Sequence, residues 1–213
     1  MYVKLSIYTQ NQPVMLFQPN TIYHIYNQGN NRQPVFFNEE NYLFFLRKMR
    51  QFILPHADFL AYCLMPNHFH WLIVTKETAC EWLDFSAADK PSNAKPRQRL
   101  SHQINTLLRS YTRAINNQEQ RNGSLFRLHT KAKDGWIDEF VEAARRKNGA
   151  ADFRFGIDND YALQCFFYIH ENPEKAGLVS NTTDWLFSSA RDYAGLRKGT
   201  LCNQLLAKEL LGL

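Results

Sequence analysis

Hydrophobic and polar residues alternate in three stretches of the chain, a pattern that is typical of β-strands whose two faces meet different surroundings. These stretches cover residues 20–27, 58–65 and 68–75. Only Pro66 and Asn67 separate the second stretch from the third, so these two strands are predicted to form a tight hairpin.

Apolar residues recur with helical spacing in three other stretches. Asn38 is a suitable N-cap for the first helix, which is expected to run to Pro55, and the second helix spans residues 99–117. The third spans residues 159–172, and Pro173 is expected to lie just beyond its end. Its apolar positions, which should pack on a sheet, are Ala162, Leu163, Phe166, Phe167 and Ile169.

The order of these elements is βαββαβ-like and favours an α+β fold, an antiparallel sheet with helices packed on one face. Residues 86–98 have almost no apolar content and predict an exposed loop. The chain contains no internal repeat and no linker-like segment, so residues 1–213 are predicted to form a single domain.

The composition is compatible with an intracellular nucleic-acid enzyme but does not identify one. The chain has 25 Lys and Arg against 20 Asp and Glu, a net charge of +5 that suits phosphate contact yet is common in other proteins. The four cysteines form no C-x-x-C pair, and no apolar run is long enough to cross a membrane. We therefore expect a cytoplasmic protein without a membrane partner.

Two histidines stand one residue apart in the third strand stretch. Because side chains alternate along a strand, His68 and His70 point to one face, and Phe69 and Trp71 point to the other. Buried imidazoles need a partner, and neutral imidazole is a common metal ligand. The dipeptide pattern alone leaves two interpretations open, a metal site or two edge histidines that bind water.

A second pair of polar residues lies on the third helix. Tyr168 and Asn172 are four residues apart, so they are neighbours one helical turn from each other. They present a phenol that can attack an electrophile together with an amide oxygen that can bind a cation. In the alternative interpretation, Tyr168 lies at the rim of a core and Asn172 caps the helix before Pro173.

Five blocks of the chain resemble a known family, and they occur in the order in which that family has them. The blocks are Tyr23–Phe36, Ala61–His70, Gly123–Phe126, Tyr168–Val179 and Trp185–Tyr193. On these residues the chain resembles the single-tyrosine transposases of the His-hydrophobic-His endonuclease superfamily, especially the REP-associated tyrosine transposases. The motif Met65-Pro66-Asn67-His68-Phe69-His70 is the most specific part of the likeness.

The resemblance implies both an architecture and a set of boundaries. It implies a ferredoxin-like or RRM-like antiparallel sheet, with helices on one face and the tyrosine helix over the active-site face. The likeness covers a core of about residues 18–195, and it implies an insertion at about residues 132–157 and a C-terminal tail at residues 196–213.

The resemblance also implies a chemistry, that of a transposase that cuts single-stranded DNA at hairpins. Tyr168 would attack a phosphodiester and form a covalent 5′-phosphotyrosine intermediate. His68, His70 and the side-chain oxygen of Asn172 would bind a divalent cation, and this mixed set of nitrogen and oxygen ligands suits Mg²⁺ or Mn²⁺. A homodimer is also compatible with the resemblance.

Polar residues in a loop near the end of the sheet and basic residues on a later strand are candidates for contact with single-stranded or hairpin DNA. These residues are Asn30, Asn31, Arg32, Arg127, Lys131 and Lys133. The chain departs from the family at Gln28, where many relatives have arginine.

Some alternatives remain open at this stage. Tyr111 is a rival nucleophile on the second helix, and His24 is expected to be a satisfied core histidine. The protein could also be a domesticated hairpin-binding protein with little turnover. A third possibility is a metal-dependent phosphohydrolase that uses only the histidine pair; it would not be a histidine-triad hydrolase, because Leu72 stands where a third histidine is needed.

Overall fold

A computed structural model describes residues 16–83, 96–133 and 159–213. In chain order its elements are β1 (Ile22–Gln28), α1 (Glu39–Phe52), β2 (Ala57–Met65), β3 (His68–Thr75), α2 (Glu77–Cys80), β4 (Trp82–Leu83), β5 (Arg97–Gln98), α3 (Arg99–Gln118), β6 (Lys131–Lys133), α4 (Asn159–Lys175), α5 (Ala190–Tyr193) and α6 (Gln204–Leu211).

Four strands form one antiparallel sheet in the order β2-β3-β1-β6. Together with α1 and α3 they have the βαββαβ order and strand arrangement of a ferredoxin-like fold, so the predicted fold class is confirmed. The hairpin between β2 and β3 turns at Pro66 and Asn67 as predicted.

An aromatic core fills the space between one face of the sheet and helices α1 and α3. Phe69 and Trp71 of β3 are wholly buried, and the ring of Phe69 lies 5.3 Å from that of Phe45 on α1. Tyr111 of α3 is also wholly buried, and its hydroxyl donates a hydrogen bond of 2.8 Å to the carbonyl of Val35. This face therefore supplies the main hydrophobic core.

Helix α4 covers the opposite face of the sheet. Its buried residues Cys165, Phe166 and Ile169 form a second apolar cluster with residues such as Leu72 of β3. Phe167 was predicted to join this stripe, but 48% of its surface is exposed, because it lies on the flank of the helix. The tyrosine helix thus packs over the face that carries the histidines, as the sequence predicts.

The predicted end of α4 before Pro173 is wrong, because the helix continues to Lys175. Proline removes one backbone donor, but hydrogen bonds beyond it close the helix. The N–H of Leu178 donates to the Pro173 carbonyl at 2.9 Å, and the N–H of Gly177 donates to the Glu174 carbonyl at 2.9 Å. Gly177 has a φ of +68°, the left-handed conformation that this type of helix end requires.

Part of the predicted loop at residues 86–98 is a strand. Arg97 and Gln98 pair with Leu83 and Trp82, and the side chain of Gln98 is buried. Its amide donates to the Phe17 carbonyl at 2.9 Å and accepts from the Phe17 N–H at 2.7 Å. The buried amide of Gln98 thus has its hydrogen bonds with the backbone of a residue far away in the sequence, and local composition gives no sign of such a contact. Residues 84–95 lie outside the described residues.

The segment that the resemblance sets apart as a C-terminal tail packs against β2. Cys202 forms an isolated bridge with Phe59, and Ala207 and Leu211 of α6 are buried. Arg197 forms an ion pair of 2.6 Å with Asp192. Residues 196–213 therefore contribute to the packed structure.

The predicted insertion at residues 132–157 falls mostly outside the described residues, and its first two residues belong to β6. None of the helices in the described part of the chain is long and apolar enough to span a membrane.

The stability of this fold should fall in mild acid because of His170. This side chain is buried, and its Nε2 lies 2.7 Å from the hydroxyl of Ser189. Burial lowers the pKa of His170 from 6.5 to about 4. Because the unfolded chain takes up the proton first, the free energy of unfolding should decrease as the pH falls through this interval.

The variant His170→Gln keeps a polar group but does not titrate. Between about pH 6 and pH 4.5, its free energy of unfolding should depend less steeply on pH than that of the parent protein, by about 1 kcal/mol per pH unit. Denaturant titrations at several pH values measure both slopes. Identical slopes would mean that His170 is not a buried neutral imidazole.

Candidate active site

A cleft of about 230 Å³ opens where α4 passes over one end of the sheet. Its lining residues are Tyr26, Asn27, Gln28, His68, His70, Arg127, His129, Lys131 and Tyr168. None of these described lining residues is Asp or Glu, while Arg127 and Lys131 bring positive charge. The cleft is therefore suited to a negatively charged ligand.

The register of β1 against β3 brings the lining residues together. Tyr26 pairs with His70 and Gln28 pairs with His68, so these four side chains share one face at one end of the sheet. On the other side of β1, Lys131 of β6 pairs with Tyr26. The residues that line the cleft thus come from three adjacent strands, to which α4 adds Tyr168.

The two predicted histidines lie side by side in this cleft. The rings of His68 and His70 have centroids 5.0 Å apart and are nearly perpendicular, at 89°. Burial lowers the pKa of His68 to about 4. Burial has the largest effect on His70, and the nearby His24 and His68 act in the same direction. Together they hold the pKa of His70 well below 6.5. Both imidazoles are therefore neutral at pH 7 and have a nitrogen lone pair for a ligand.

Asn67 determines which nitrogen of His68 has the lone pair. The Nδ2 of Asn67 donates to the carbonyl of Arg32 at 3.1 Å, and this orients the amide. The amide oxygen Oδ1 then lies 2.6 Å from His68 Nδ1. Because Oδ1 can only accept, Nδ1 bears the proton, and the lone pair of the neutral ring is on Nε2.

The turn that supplies the Arg32 carbonyl has an unusual backbone. Asn31 and Arg32 have φ values of 54° and 58°, in the left-handed region that non-glycine residues rarely adopt. Such a conformation costs roughly 1–3 kcal/mol per residue and persists where its surroundings hold it. Here it places the carbonyl that orients Asn67.

His24 holds the other histidine of the pair, a role that the sequence analysis missed. Its Nε2 lies 2.9 Å from His70 Nδ1, and the two rings stack with centroids 5.1 Å apart. When Nδ1 of His70 donates this bond, its Nε2 has a lone pair for a ligand. The available signal was that His24 lies two residues before Tyr26 on the same strand face.

Tyr168, the predicted nucleophile, reaches the histidines from α4. The centroid of its ring lies 5.5 Å from that of His70, with an interplanar angle of 84°. It is 6.2 Å from the ring of His24. The chain thus brings Tyr168, His68 and His70 together at one cleft.

Asn172 lies one turn after Tyr168 but does not line the cleft. Its Nδ2 donates to the carbonyl of Tyr168 at 2.7 Å, so its Oδ1 points away from that backbone contact. The alternative in which Asn172 caps the helix is wrong, because α4 continues past it. Its role as a metal ligand stays a prediction.

The predicted DNA-contacting residues do not all lie at the cleft. Arg127 and Lys131 line the cleft, and the Nζ of Lys131 lies 5.9 Å from the centroid of the Tyr26 ring. The turn Asn30–Arg32 does not line it, and Asn30 instead donates to the Ser124 carbonyl at 3.0 Å. Lys133 lies in β6, where its backbone pairs with that of His24 in β1, and its side chain is outside the described part of the structure.

Asn27 is a second residue that the sequence analysis missed. Its buried amide donates to the Arg127 carbonyl at 3.2 Å and to the Thr130 hydroxyl at 2.9 Å. These bonds attach residues 127–130 to the end of β1, which places Arg127 and His129 at the cleft. An isolated asparagine in a strand gives no local signal of such a contact.

Tyr111 is not near the cleft, because it lies in the aromatic core on the other face of the sheet. Within the described residues, no group of three or more His, Cys, Asp or Glu side chains is arranged for a metal ion. A cation at the histidine pair would therefore require an oxygen ligand of another type, from an amide, water or a bound phosphate.

No family model and no curated protein matches the sequence. The structure is similar to a solved structure of a REP-associated tyrosine transposase bound to a REP hairpin. The two chains are 17% identical, the match covers 89% of this chain and 88% of the other, and the TM-score is 0.54. The resemblance found in the sequence is thus confirmed at the level of the fold.

The protonation state of His68 can be measured directly. Long-range proton–nitrogen NMR spectra of the metal-free protein at neutral pH should show the proton of His68 on Nδ1. In Asn67→Ala the acceptor is lost, so the form protonated on Nε2 should gain population. Asn30→Ala, a nearby variant whose amide binds Ser124 instead, should leave the spectrum of His68 unchanged. A parent protein with the His68 proton on Nε2 would contradict the assignment.

Proposed function

We propose that the protein is a metal-dependent single-stranded DNA endonuclease and strand transferase, a transposase that acts at DNA hairpins through a covalent 5′-phosphotyrosine. The observation that carries this proposal is the position of the Tyr168 ring beside two neutral imidazoles, 5.5 Å from His70. A phenol beside lone-pair nitrogens in a basic cleft has the components of a phosphoryl-transfer site.

Two observations support DNA as the substrate. The described cleft is lined by Arg127 and Lys131 and by no carboxylate, so a phosphodiester would meet favourable charge there. The similar solved structure is a transposase bound to a REP hairpin. Tyr26 and Tyr168 also offer aromatic rings on which unpaired bases can stack, which favours a single strand in the cleft.

The two histidines at the cleft would supply part of a ligand set for a divalent cation, and Asn172, one helical turn after Tyr168, is proposed to complete it. The proposed ligands are Nε2 of His68, Nε2 of His70 in the tautomer whose Nδ1 donates to His24, and the side-chain oxygen of Asn172. Two nitrogens and one oxygen, with the remaining positions open, suit Mg²⁺ or Mn²⁺. Such a cation would neutralise the charge on the phosphate and make its phosphorus more electrophilic.

In the proposed reaction the phenolic oxygen of Tyr168 attacks the phosphorus of the scissile phosphodiester. A bond forms between that oxygen and phosphorus, and the bond between phosphorus and the 3′ oxygen breaks. The phenol loses one proton and the departing 3′ oxygen gains one, so the step needs no net proton. The phosphotyrosine linkage is itself a phosphodiester. A second 3′-hydroxyl can therefore attack its phosphorus, release Tyr168 and join a new strand.

Removal of the Tyr168 hydroxyl should abolish the covalent intermediate. A DNA hairpin with a single-stranded flank is incubated with the protein and Mn²⁺, and denaturing electrophoresis then detects the protein–DNA adduct. Tyr168→Phe keeps the ring packing, so it should bind the hairpin but form no adduct.

Tyr111→Phe is the matched control, because it removes the same atom from the core. It should form the adduct and lose about 1 kcal/mol of stability together with its hydrogen bond to Val35. An adduct on Tyr168→Phe, combined with its loss in Tyr111→Phe, would make Tyr111 the nucleophile.

Substitution of the proposed ligands should weaken metal binding. His68→Ala and His70→Ala should lower the Mn²⁺ affinity, measured by calorimetry, by roughly tenfold or more, and excess Mn²⁺ should partly restore cleavage. Asn172→Ala should behave like them, and His102→Ala on α3 is the control. If Asn172→Ala keeps its Mn²⁺ affinity but melts at a lower temperature, Asn172 is structural.

The same assays separate the remaining alternatives. Retarded migration of the hairpin without any adduct would indicate a hairpin-binding protein with little turnover. Metal-dependent hydrolysis of small phosphate esters without an adduct would indicate a phosphohydrolase that uses only His68 and His70. The homodimer stays a prediction.

A further inference from the structure

Gln28 is a residue of the cleft to which the proposed function assigns no role. It ends β1, lines the cleft together with His68 and His70, and pairs with His68 of β3. Its side chain is an amide, whose oxygen is an acceptor that can bind a hard cation such as Mg²⁺ or Mn²⁺. The position of this oxygen beside the histidine pair is therefore of interest.

The backbone at the end of β1 brings the side chains of Gln28 and His68 close together. The N–H of Gln28 donates to Asn27 Oδ1 at 2.7 Å, and its carbonyl accepts from the Arg127 N–H at 2.9 Å. Neither backbone group is bonded to β3, so Gln28 and His68 form a non-hydrogen-bonded cross-strand pair. In such pairs the side chains lie closest, with Cβ atoms about 4.5–5.5 Å apart.

The side-chain amide of Gln28 makes no hydrogen bond to another residue in the part of the chain that the structure describes. Asn27 supplies the other amide of the described lining, and that amide is fully engaged. Its Nδ2 donates to the Arg127 carbonyl and the Thr130 hydroxyl, and its Oδ1 accepts from the Gln28 N–H. Gln28 is thus the amide of this lining whose oxygen is available to a ligand.

The other side-chain oxygens of the described lining are less suited to a cation. They are the phenol oxygens of Tyr26 and Tyr168, since no Asp or Glu of the described chain lines the cleft. A phenol binds a cation well only after it loses its proton, whereas an amide oxygen binds without any loss of a proton. Asn172 does not line the cleft, and its amide is bonded to the helix backbone.

We propose that the side-chain oxygen of Gln28 binds the divalent cation together with His68 and His70, so that three ligands come from two paired strands. The register that places His68 at the cleft then also places Gln28 there. This inference rests on the part of the proposed function that puts a cation at the histidine pair, and it holds whether or not Asn172 also binds.

The role would be particular to this chain rather than general to the family that it resembles. Many relatives have arginine where this chain has Gln28. A guanidinium group has no acceptor and is always positively charged, so it cannot bind a cation.

Two variants of Gln28 test the proposal by changing the ligand atom. Gln28→Met keeps an unbranched side chain of similar length but replaces the amide with a thioether, a soft group that binds hard cations poorly. Gln28→Glu puts a charged oxygen in its place. Because the Gln28 side chain makes no hydrogen bond within the described residues, both variants should fold, which thermal melting verifies.

Calorimetry without DNA measures the affinity of the metal-free proteins for Mn²⁺. Gln28→Met should bind Mn²⁺ roughly tenfold or more weakly, and Gln28→Glu should bind it roughly tenfold more tightly, because a carboxylate adds charge to the ligand set. Gln51→Met is the matched control. It makes the same substitution at an exposed position of α1 that does not line the cleft, so its affinity should equal that of the parent protein.

NMR spectroscopy gives a second readout, because Mn²⁺ broadens the signals of nuclei close to it. In the parent protein, substoichiometric Mn²⁺ should remove the side-chain amide signals of Gln28 together with the ring signals of His68. The side-chain amide signals of Gln51 should persist.

Three results would overturn the proposal. They are an unchanged Mn²⁺ affinity in Gln28→Met, a weaker affinity in Gln28→Glu, and a parent protein that binds no Mn²⁺. If Gln28→Met keeps its Mn²⁺ affinity but binds single-stranded DNA more weakly without metal, Gln28 contacts DNA instead.

Failure of this proposal can be distinguished from failure of the proposed function. A parent protein whose Mn²⁺ affinity depends on Gln28, but which forms no covalent adduct with DNA, supports the ligand and contradicts the transposase. A parent protein that forms the adduct, while Gln28→Met binds Mn²⁺ as tightly as the parent, contradicts the ligand alone.

Discussion

The antiparallel register of β1 on β3 is the constraint on which the candidate site depends. It sets Tyr26 opposite His70 and Gln28 opposite His68. Because side chains alternate along both strands, the same register turns Phe69 and Trp71 into the aromatic core. A slip by one residue would turn those rings toward the cleft and α4 and bury the imidazoles in the aromatic core, at a cost of several kcal/mol. Burial of the aromatic rings on one face thus fixes the positions of the histidines on the other face.

Burial of the histidines is tolerated because each is neutral and hydrogen-bonded. An unpaired polar group in the interior costs about 1–3 kcal/mol, whereas a paired one is close to neutral. His68 is paired with Asn67, and His70 with His24. Both bonds engage Nδ1, so His68 offers Nε2 as the ligating atom, and His70 does so in the tautomer in which its Nδ1 donates to His24. The left-handed turn at Arg32 is the strained element that supports this arrangement.

The site was more predictable from sequence than its supporting contacts. The one-residue spacing of His68 and His70 and the helical spacing around Tyr168 are local patterns, and the structure brings both segments to one cleft. The contact of His24 with His70 spans 46 residues, and the buried position of Gln98 depends on Phe17, 81 residues away. Such contacts follow from tertiary packing and have no local signal. The extension of α4 past Pro173 was missed because bonds formed later in the chain close the helix.

The central claim is that Tyr168, beside the histidine pair, becomes covalently joined to the 5′ side of a DNA break. The most direct measurement is mass spectrometry of the protein–DNA adduct after digestion with a protease and a nuclease. The account predicts one modified peptide, with a nucleotide attached through its 5′-phosphate to Tyr168. A nucleotide on another residue, or one attached through its 3′ end, would contradict it.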